Sequence, residues 1–479
     1  MSDAPPRDTT IHTPLQQLRN RTFDEIAVGD TAAIERVLTT EDIQLFAIQS
    51  GDVNPQHLDP AFASSSRFRG VVAHGMWGGA LLSAVLGTRL PGPGTIYQSQ
   101  TLRFLAPIRV GDRITFRATV TAKDSDHRRV TLACVCTNQD GLNTIEGEAQ
   151  VIAPTEHVEC QSAMLPEVRL VPDANAGLTL LLDHVRPLGA LRVAVVHPCD
   201  VVSLGAALDA RDAGLIDPVL IAPMAKLQAI AAQARLDLTG VTIEDAEHSH
   251  AAAARAVELA REGKVQALMK GSLHTDELMG AVVAATSGLR TKRRVSHCFV
   301  LQTPHYPRPF IVTDAAINLA PDLEQKADII RNAITLAHAI GVREPKVAIL
   351  AAVETINAAM PATLDAAALC KMADRGQITG GVLDGPLAFD NAISMAAART
   401  KGIHSPVAGQ ADILVVPDLE SGNMLAKQLI FMGDAGSAGI VVGAKVPVIL
   451  TSRADSAESR LASCAIAVLL AQHYRQSPP

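Results

Sequence analysis

At 479 residues the chain exceeds what one hydrophobic core ordinarily holds, so two or three domains are expected. Its 48% hydrophobic and 19% charged residues read as globular rather than disordered, except for residues 1–15, which are rich in Pro, Asp and Thr and are expected to be disordered. A net charge of −7 without a basic stripe argues against a nucleic-acid partner, and no apolar run approaches the roughly 18 residues that would span a membrane.

The opening MSDAPPRDTT has no apolar signal core, so an unexported, cytoplasmic protein is expected. Further on, Thr95 to Phe104, Arg113 to Thr121, Arg129 to Thr137 and Asn143 to Ile152 have the alternating or β-rich pattern of strands, with Asn138-Gln139-Asp140-Gly141 as a hairpin turn. One long helix, from about Gly75 to Leu86, interrupts them, which gives a helix wrapped by an antiparallel sheet. Cys134 and Cys136 alternate within one of these strands, and the seven scattered cysteines read as reduced thiols rather than disulfides or a zinc site. Pro154 to Pro187 reads as a linker with a first helix.

Beyond the linker, short apolar runs alternate with helical ones: Arg192 to His197, Pro218 to Ala222, Gln266 to Lys270, Val295 to Gln302, Phe310 to Thr313, Val347 to Val353, Ile413 to Pro417 and Val446 to Leu450. Amphipathic stretches such as Ser249 to Glu262 and Leu323 to Ile340 lie between them. That alternation predicts parallel sheet covered on both faces. The run Gly433 to Gly439 resembles a dinucleotide loop, but it precedes a strand and is read as a connection, with no nicotinamide cofactor.

The densest pattern is Gly51-Asp52-Val53-Asn54-Pro55-Gln56-His57-Leu58-Asp59 followed by Val71-Val72-Ala73-His74-Gly75-Met76. By residue type alone these are turn formers around a proline. In this order, over roughly residues 20 to 152, they resemble the MaoC-like (R)-specific enoyl-CoA hydratases of the hot-dog superfamily. The resemblance implies that Asp52 and His57 grip one water for addition to a 2-enoyl thioester, and that the Gly75 N–H meets the thioester oxygen. It also implies that Asn54 orients the loop, with a structural role for His74 beside the helix start. Arg103 and Arg109 are candidates for coenzyme A phosphates, or are simply solvated.

A second ordered set follows: Met269-Lys270-Gly271-Ser272-Leu273-His274-Thr275, Val295-Ser296-His297, Thr313-Asp314, Leu383-Asp384-Gly385-Pro386, Asp418 to Asn423 and Thr451-Ser452-Arg453-Ala454-Asp455. Over roughly 170 to 475 it resembles the phosphate acetyl/butyryltransferase family, closer to the butyryl type. The resemblance implies that Ser452 and Arg453 hold the reacting acyl phosphate, that Lys270 and His274 lie at the cleft, and that Ser421, Gly422 and Asn423 open a helix onto an anion. Two positions depart from the acetyl-type pattern: Ser459 stands where a general-base aspartate is carried, and Gly280 where a substrate-binding arginine is. Asp455, one turn before Ser459, is a substitute acid or the cap of the last helix.

The expected architecture is therefore an α+β hot-dog domain (16–155), a linker (156–170) and an α/β two-subdomain phosphotransacetylase-like domain (171–479). Its first subdomain is expected to span about 165–290 plus 439–479, and its second about 291–438. The expected protein is a homo-oligomer, dimer or higher, acting on acyl-CoA and enoyl-CoA. Coenzyme A thioesters and inorganic phosphate would be its substrates, with no tightly bound cofactor and no metal. A second reading keeps the hydratase and makes the C-terminal half an acyl-CoA-sensing, oligomerising module.

Overall fold

The computed structural model describes residues 17–163, 168, 174–452 and 454–479. The expected disorder of 1–15, most of the expected linker beyond 163, and Arg453 lie outside these described residues. The chain divides into two compact units, Met1–Leu170 and Val171–Pro479.

The first unit contains strands β1 (Gln17–Arg19), β2 (Thr31–Val37), β3 (Ile96–Phe104), β4 (Arg113–Asp124), β5 (Arg129–Thr137), β6 (Asn143–Ile152) and β7 (Glu159–Gln161). Five of them form an antiparallel sheet in the order β2-β4-β5-β6-β3. Central strand β5 alternates strictly, burying Val130, Leu132, Cys134 and Cys136. The sheet wraps the helix Gly75–Thr88, whose Trp77 meets Phe116 edge to face with ring centroids 5.6 Å apart. This is the expected hot-dog arrangement. Strand β7 pairs with β1, so Glu159–Gln161 belongs to the first unit and not to the expected linker. A helix that was not expected, Thr40–Ser50, opens on a Thr39/Asp42 capping box and ends at Gly51 in the left-handed conformation (φ 74°).

The second unit contains β8 (Leu191–Val196), β9 (Ile216–Ala222), β10 (Thr242–Asp245), β11 (Ala267–Lys270), β12 (Ser296–Gln302), β13 (Phe310–Thr313), β14 (Lys346–Leu350), β15 (Val382–Leu387), β16 (Ile413–Val415), β17 (Gly436–Val442) and β18 (Val448–Ile449). They join in one ladder, β10-β9-β8-β11-β18-β17-β12-β13-β16-β14-β15. Strands β17 and β12 run antiparallel along Ser296–Gln302, so one sheet continues across the boundary expected between two subdomains, and Val171–Pro479 forms a single compact unit. Strand β17 starts at Gly436, which puts the end of the Gly433–Gly439 run inside a strand rather than in a connection. Strands β8 and β17 are buried along almost their whole length, as sheet covered on both faces requires.

Strands β8, β11 and β18 are mutually parallel neighbours, so their carboxyl ends open on one side of the sheet, where α/β proteins build their sites. Close approach is enforced there by Gly271: a Cβ at that position would sit 2.3 Å from the Val196 carbonyl oxygen.

In the first unit Gly147 on β6 faces β3 so closely that a Cβ would lie 1.9 Å from the Thr101 oxygen. The substitution Gly147→Ala is expected to destabilise this unit by about 1–3 kcal/mol, seen as a lower thermal midpoint with the transition of the second unit unmoved.

Candidate functional site

The Gly51 turn delivers the chain into a loop that the backbone holds. Asp52 Oδ1 accepts the Asn54 N–H at 3.2 Å, and Asn54 Oδ1 accepts the Gln56 N–H at 3.0 Å, so Asn54 caps the short helix Pro55–Leu58. His57 Nδ1 lies 2.8 Å from the Val72 carbonyl oxygen. A carbonyl only accepts, so Nδ1 carries the proton and the neutral ring keeps a lone pair at Nε2. His74 Nε2 lies 3.0 Å from the Asp52 carbonyl oxygen, so the same reasoning leaves the His74 lone pair at Nδ1, which is buried without a partner.

Asp52, His57 and His74 come together, one carboxylate oxygen and one nitrogen from each ring lying within 4.8 Å of one another. The imidazole centroids are 4.0 Å apart. Among the described residues this is the one group close enough to hold a metal ion, and sequence spacing did not reveal it. His74 is fully buried, and burial holds its pKa below the usual histidine value, against the raising effect of the Asp52 carbonyl. It therefore stays neutral behind the exposed Asp52 and the half-buried His57.

The helix Gly75–Thr88 begins beside this cluster. His74 is its N-cap residue but makes no side-chain cap bond; the Trp77 N–H donates to the His74 carbonyl at 3.1 Å, while the Gly75 N–H, first in the helix, has no acceptor within it. A Cβ on Gly75 would come within 3.0 Å of the Phe104 ring. Phe104 is 54% exposed beside the start of the helix, and glycine leaves room for it there. Of the two arginines that could meet coenzyme A phosphates or simply be solvated, Arg103 pairs with Glu146 at 3.1 Å and Arg109 Nη2 donates to the Phe68 carbonyl at 2.8 Å.

In the second unit, Lys270 and Ser452 meet at the carboxyl ends of β11 and β18. They line a concavity of about 310 Å3, counting its open mouth, with Asp200, Ser203, Gly271 and Arg460. Asp200 caps the helix Val201–Asp212 by accepting the Ser203 N–H at 2.7 Å. Asp200 and Arg460 were not singled out from the sequence, because β8 and the last helix reach Lys270 only through the sheet register. His274 is the N-cap residue of the helix Thr275–Val283 and is exposed outside this lining. Gly280 faces open space.

Asp455 lies before the last helix, Ala457–Gln476, whose cap is Ser456 accepting the Ser459 N–H at 3.2 Å. It therefore neither caps that helix nor shares a helical face with Ser459. Its carboxylate instead accepts the Ser452 N–H at 2.7 Å. Burial pushes its pKa above the usual carboxylate value, opposed by that N–H and by Arg460.

The helix expected to open at Ser421 begins at Leu419. Asp418 caps it and accepts the Ser421 N–H at 2.8 Å, so an internal carboxylate holds the place expected for an anion. Gly422 is needed for packing, since a Cβ would lie 2.8 Å from the Asp314 oxygen, and Asn423 Nδ2 donates to the Ala315 carbonyl at 3.1 Å.

Among known proteins, residues 250–468 match the family described as Phosphate acetyl/butaryl transferase, and residues 26–138 the MaoC like domain. A phosphate acetyltransferase of Rhizobium meliloti is 63% identical over 281 residues, 59% of this chain and 89% of that protein. A phosphate butyryltransferase of Clostridium acetobutylicum is 44% identical over 280 residues, 58% of this chain and 93% of that protein. Identity is thus higher to the acetyl-type relative, against the expected lean to the butyryl type. The crystal structure of a branched-chain phosphotransacylase from Enterococcus faecalis is 30% identical, with TM-score 0.53, covering 59% of this chain and 99% of that one.

The depressed pKa of His74 sets a pH dependence. The unfolded chain takes up a proton on this ring near pH 6.5 while the folded ring resists it, so stability rises with pH across that window. As pH falls from 7.5 through 6.5 toward the lowered folded value, the thermal midpoint of the first unit is expected to drop. In His74→Gln the drop becomes shallower.

Proposed function

Because the chain belongs to the phosphate acetyl/butyryltransferase family and carries a MaoC-like domain ahead of that region, we propose that it is a bifunctional enzyme. Its first unit hydrates short 2-enoyl-CoA thioesters to (R)-3-hydroxyacyl-CoA, and its second moves an acyl group between coenzyme A and inorganic phosphate.

The observation that carries the first activity is the convergence of Asp52, His57 and His74 at the start of the Gly75 helix. Water held between the Asp52 carboxylate and His57 Nε2 loses a proton to this pair as its oxygen bonds to C3. Negative charge moves to the thioester oxygen, where the Gly75 N–H and the positive helix end lower its energy. The pair then returns a proton to C2. His74, kept neutral by burial, adds no competing charge and braces the Asp52 backbone.

For the transfer, Lys270 and Arg460 bring positive charge to the concavity that Ser452 lines, which favours an anionic phosphate. The Ser452 hydroxyl is a donor for the tetrahedral oxyanion, and Arg453 a guanidinium fork on the phosphate. Asp455, hydrogen-bonded to the Ser452 backbone, takes the place of an acid at position 459. Its raised pKa brings it nearer the range of a working base.

The same reading makes the protein a cytoplasmic homo-oligomer without a tightly bound cofactor, using coenzyme A thioesters and phosphate as substrates. Support for self-association comes from β3, an edge strand of the five-stranded sheet that exposes Ile96, Tyr97 and Phe104. Exposed edges of this kind pair readily with another strand. Among the described residues no helix is long and apolar enough to cross a membrane.

Two assays on the full chain separate the activities. Asp52→Ala or His57→Ala is expected to lower kcat/KM for crotonyl-CoA roughly 10²–10⁴-fold and to leave phosphate-dependent CoA release untouched. Ser452→Ala or Arg453→Ala is expected to do the reverse, with acetyl-, butyryl- and 3-hydroxybutyryl-CoA as the acyl series. Equal rates in wild type and variants would remove the assignment for that unit.

A further inference from the structure

The second unit contains a larger pocket that shares no lining residue with the concavity of Ser452. It measures about 880 Å3, counting its open mouth, and its walls include Arg290, Arg293 and Arg294. No carboxylate lines it, and among the described residues no ion pair engages any of the three guanidinium groups. Met279, Val282 and Ile317 supply an apolar side, and Gly280 leaves the wall open, since a Cβ there would touch nothing within 4 Å.

The arginines are positioned rather than loose. Arg290 is in a β-bridge with Ala444, and the Thr291 hydroxyl donates to the Gly443 carbonyl at 2.6 Å. Arg293 Nη1 donates to the Thr335 hydroxyl at 3.1 Å. Arg294 Nε donates to Asn318 Oδ1, while Asn318 Nδ2 donates to the Val295 carbonyl at 3.0 Å and to buried Asp314. These bonds use one nitrogen of Arg293 and one of Arg294.

Three arginines in one wall with no carboxylate among the lining repel one another, Asp328 meeting only the Arg294 backbone N–H at 3.0 Å, and an anion of matching charge relieves that repulsion. Inorganic phosphate alone would leave the apolar side wet, and a single carboxylate would answer one arginine of three. We propose that this pocket binds a nucleoside carrying two or more phosphate charges, with its phosphates on Arg290, Arg293 and Arg294 and its base or sugar against the apolar side. The nucleotide has two possible sources. One is the bisphosphorylated end of coenzyme A itself, in which case the inference rests on the acyl-CoA reading above. The other is a separate nucleotide effector.

Calorimetric titration of the full chain with ADP, with adenosine 3′,5′-bisphosphate and with hexanoate tests the proposal. Both nucleotides are expected to bind, and hexanoate to bind at least about tenfold more weakly, since one carboxylate leaves two guanidinium groups unanswered. Added KCl weakens the nucleotides, because the contacts are ionic and partly exposed. The triple variant Arg290→Gln, Arg293→Gln, Arg294→Gln should lose at least about tenfold in nucleotide affinity, the scale of losing charge-assisted bonds. The single variant Arg290→Lys, which keeps the charge, should lose less.

Displacement of bound nucleotide by acetyl-CoA assigns it to the substrate, and simultaneous binding assigns it to an effector. Unchanged nucleotide affinity in the triple variant overturns the proposal. So does hexanoate binding as tightly as ADP to the wild-type chain, a result that needs no variant to fold. Nucleotide binding without phosphate-dependent CoA release would remove the transferase reading and leave this one standing.

Discussion

The second unit depends on the parallel hydrogen bonding that places β11 between β8 and β18. Parallel strands need long crossovers, so this register brings together residues hundreds of positions apart in the chain. It sets Lys270 beside the loop of Ser452 and both beside the Asp200 cap. Gly271 is part of the same constraint, because its backbone approaches Val196 more closely than any side chain would allow. Placement of charge at the carboxyl ends of these strands follows from the ladder and not from local sequence.

The first unit uses a different device. Its reacting groups lie on one short segment and are tied down by carbonyl oxygens rather than by strand register. Val72 and Asp52 each present a carbonyl to an imidazole, and Gly51 turns the chain so that the loop meets the helix start. Locality made this site readable. Asp52 and His57, five residues apart, stay together in space, whereas the clustering of His74 with them could not be seen from spacing.

Where the sequence was read correctly, a strong periodic signal was present. Arg129–Thr137 was bounded to the residue because strict alternation marks a half-buried strand, and Asn143–Ile152 because its β-rich run follows directly on the Asn138–Gly141 turn. The helix Thr40–Ser50 was missed because it buries only Ile43 and Ala47 and so has almost no apolar stripe. Strand β15 was hidden by Asp384-Gly385-Pro386, which reads as a turn. As an edge strand of the long sheet it tolerates the proline. Asp455, read as the cap of the last helix or as sharing a face with Ser459, lies one residue before the cap, and Ser421, read as opening its helix, lies two residues past its first residue, enough to change what each carboxylate or N–H does. Asp200 and Arg460 left no local trace, since only tertiary register brings them to Lys270.

Both imidazoles of the hydratase site take their tautomer from main-chain oxygens. The proton inventory of that site is thus encoded in the path of the backbone as much as in the side chains. A change in loop length that drew the Val72 carbonyl away from His57 Nδ1 would free the choice of which nitrogen carries hydrogen without replacing any reacting side chain. Evolution or engineering of this loop can therefore alter acid-base chemistry without a substitution at Asp52, His57 or His74.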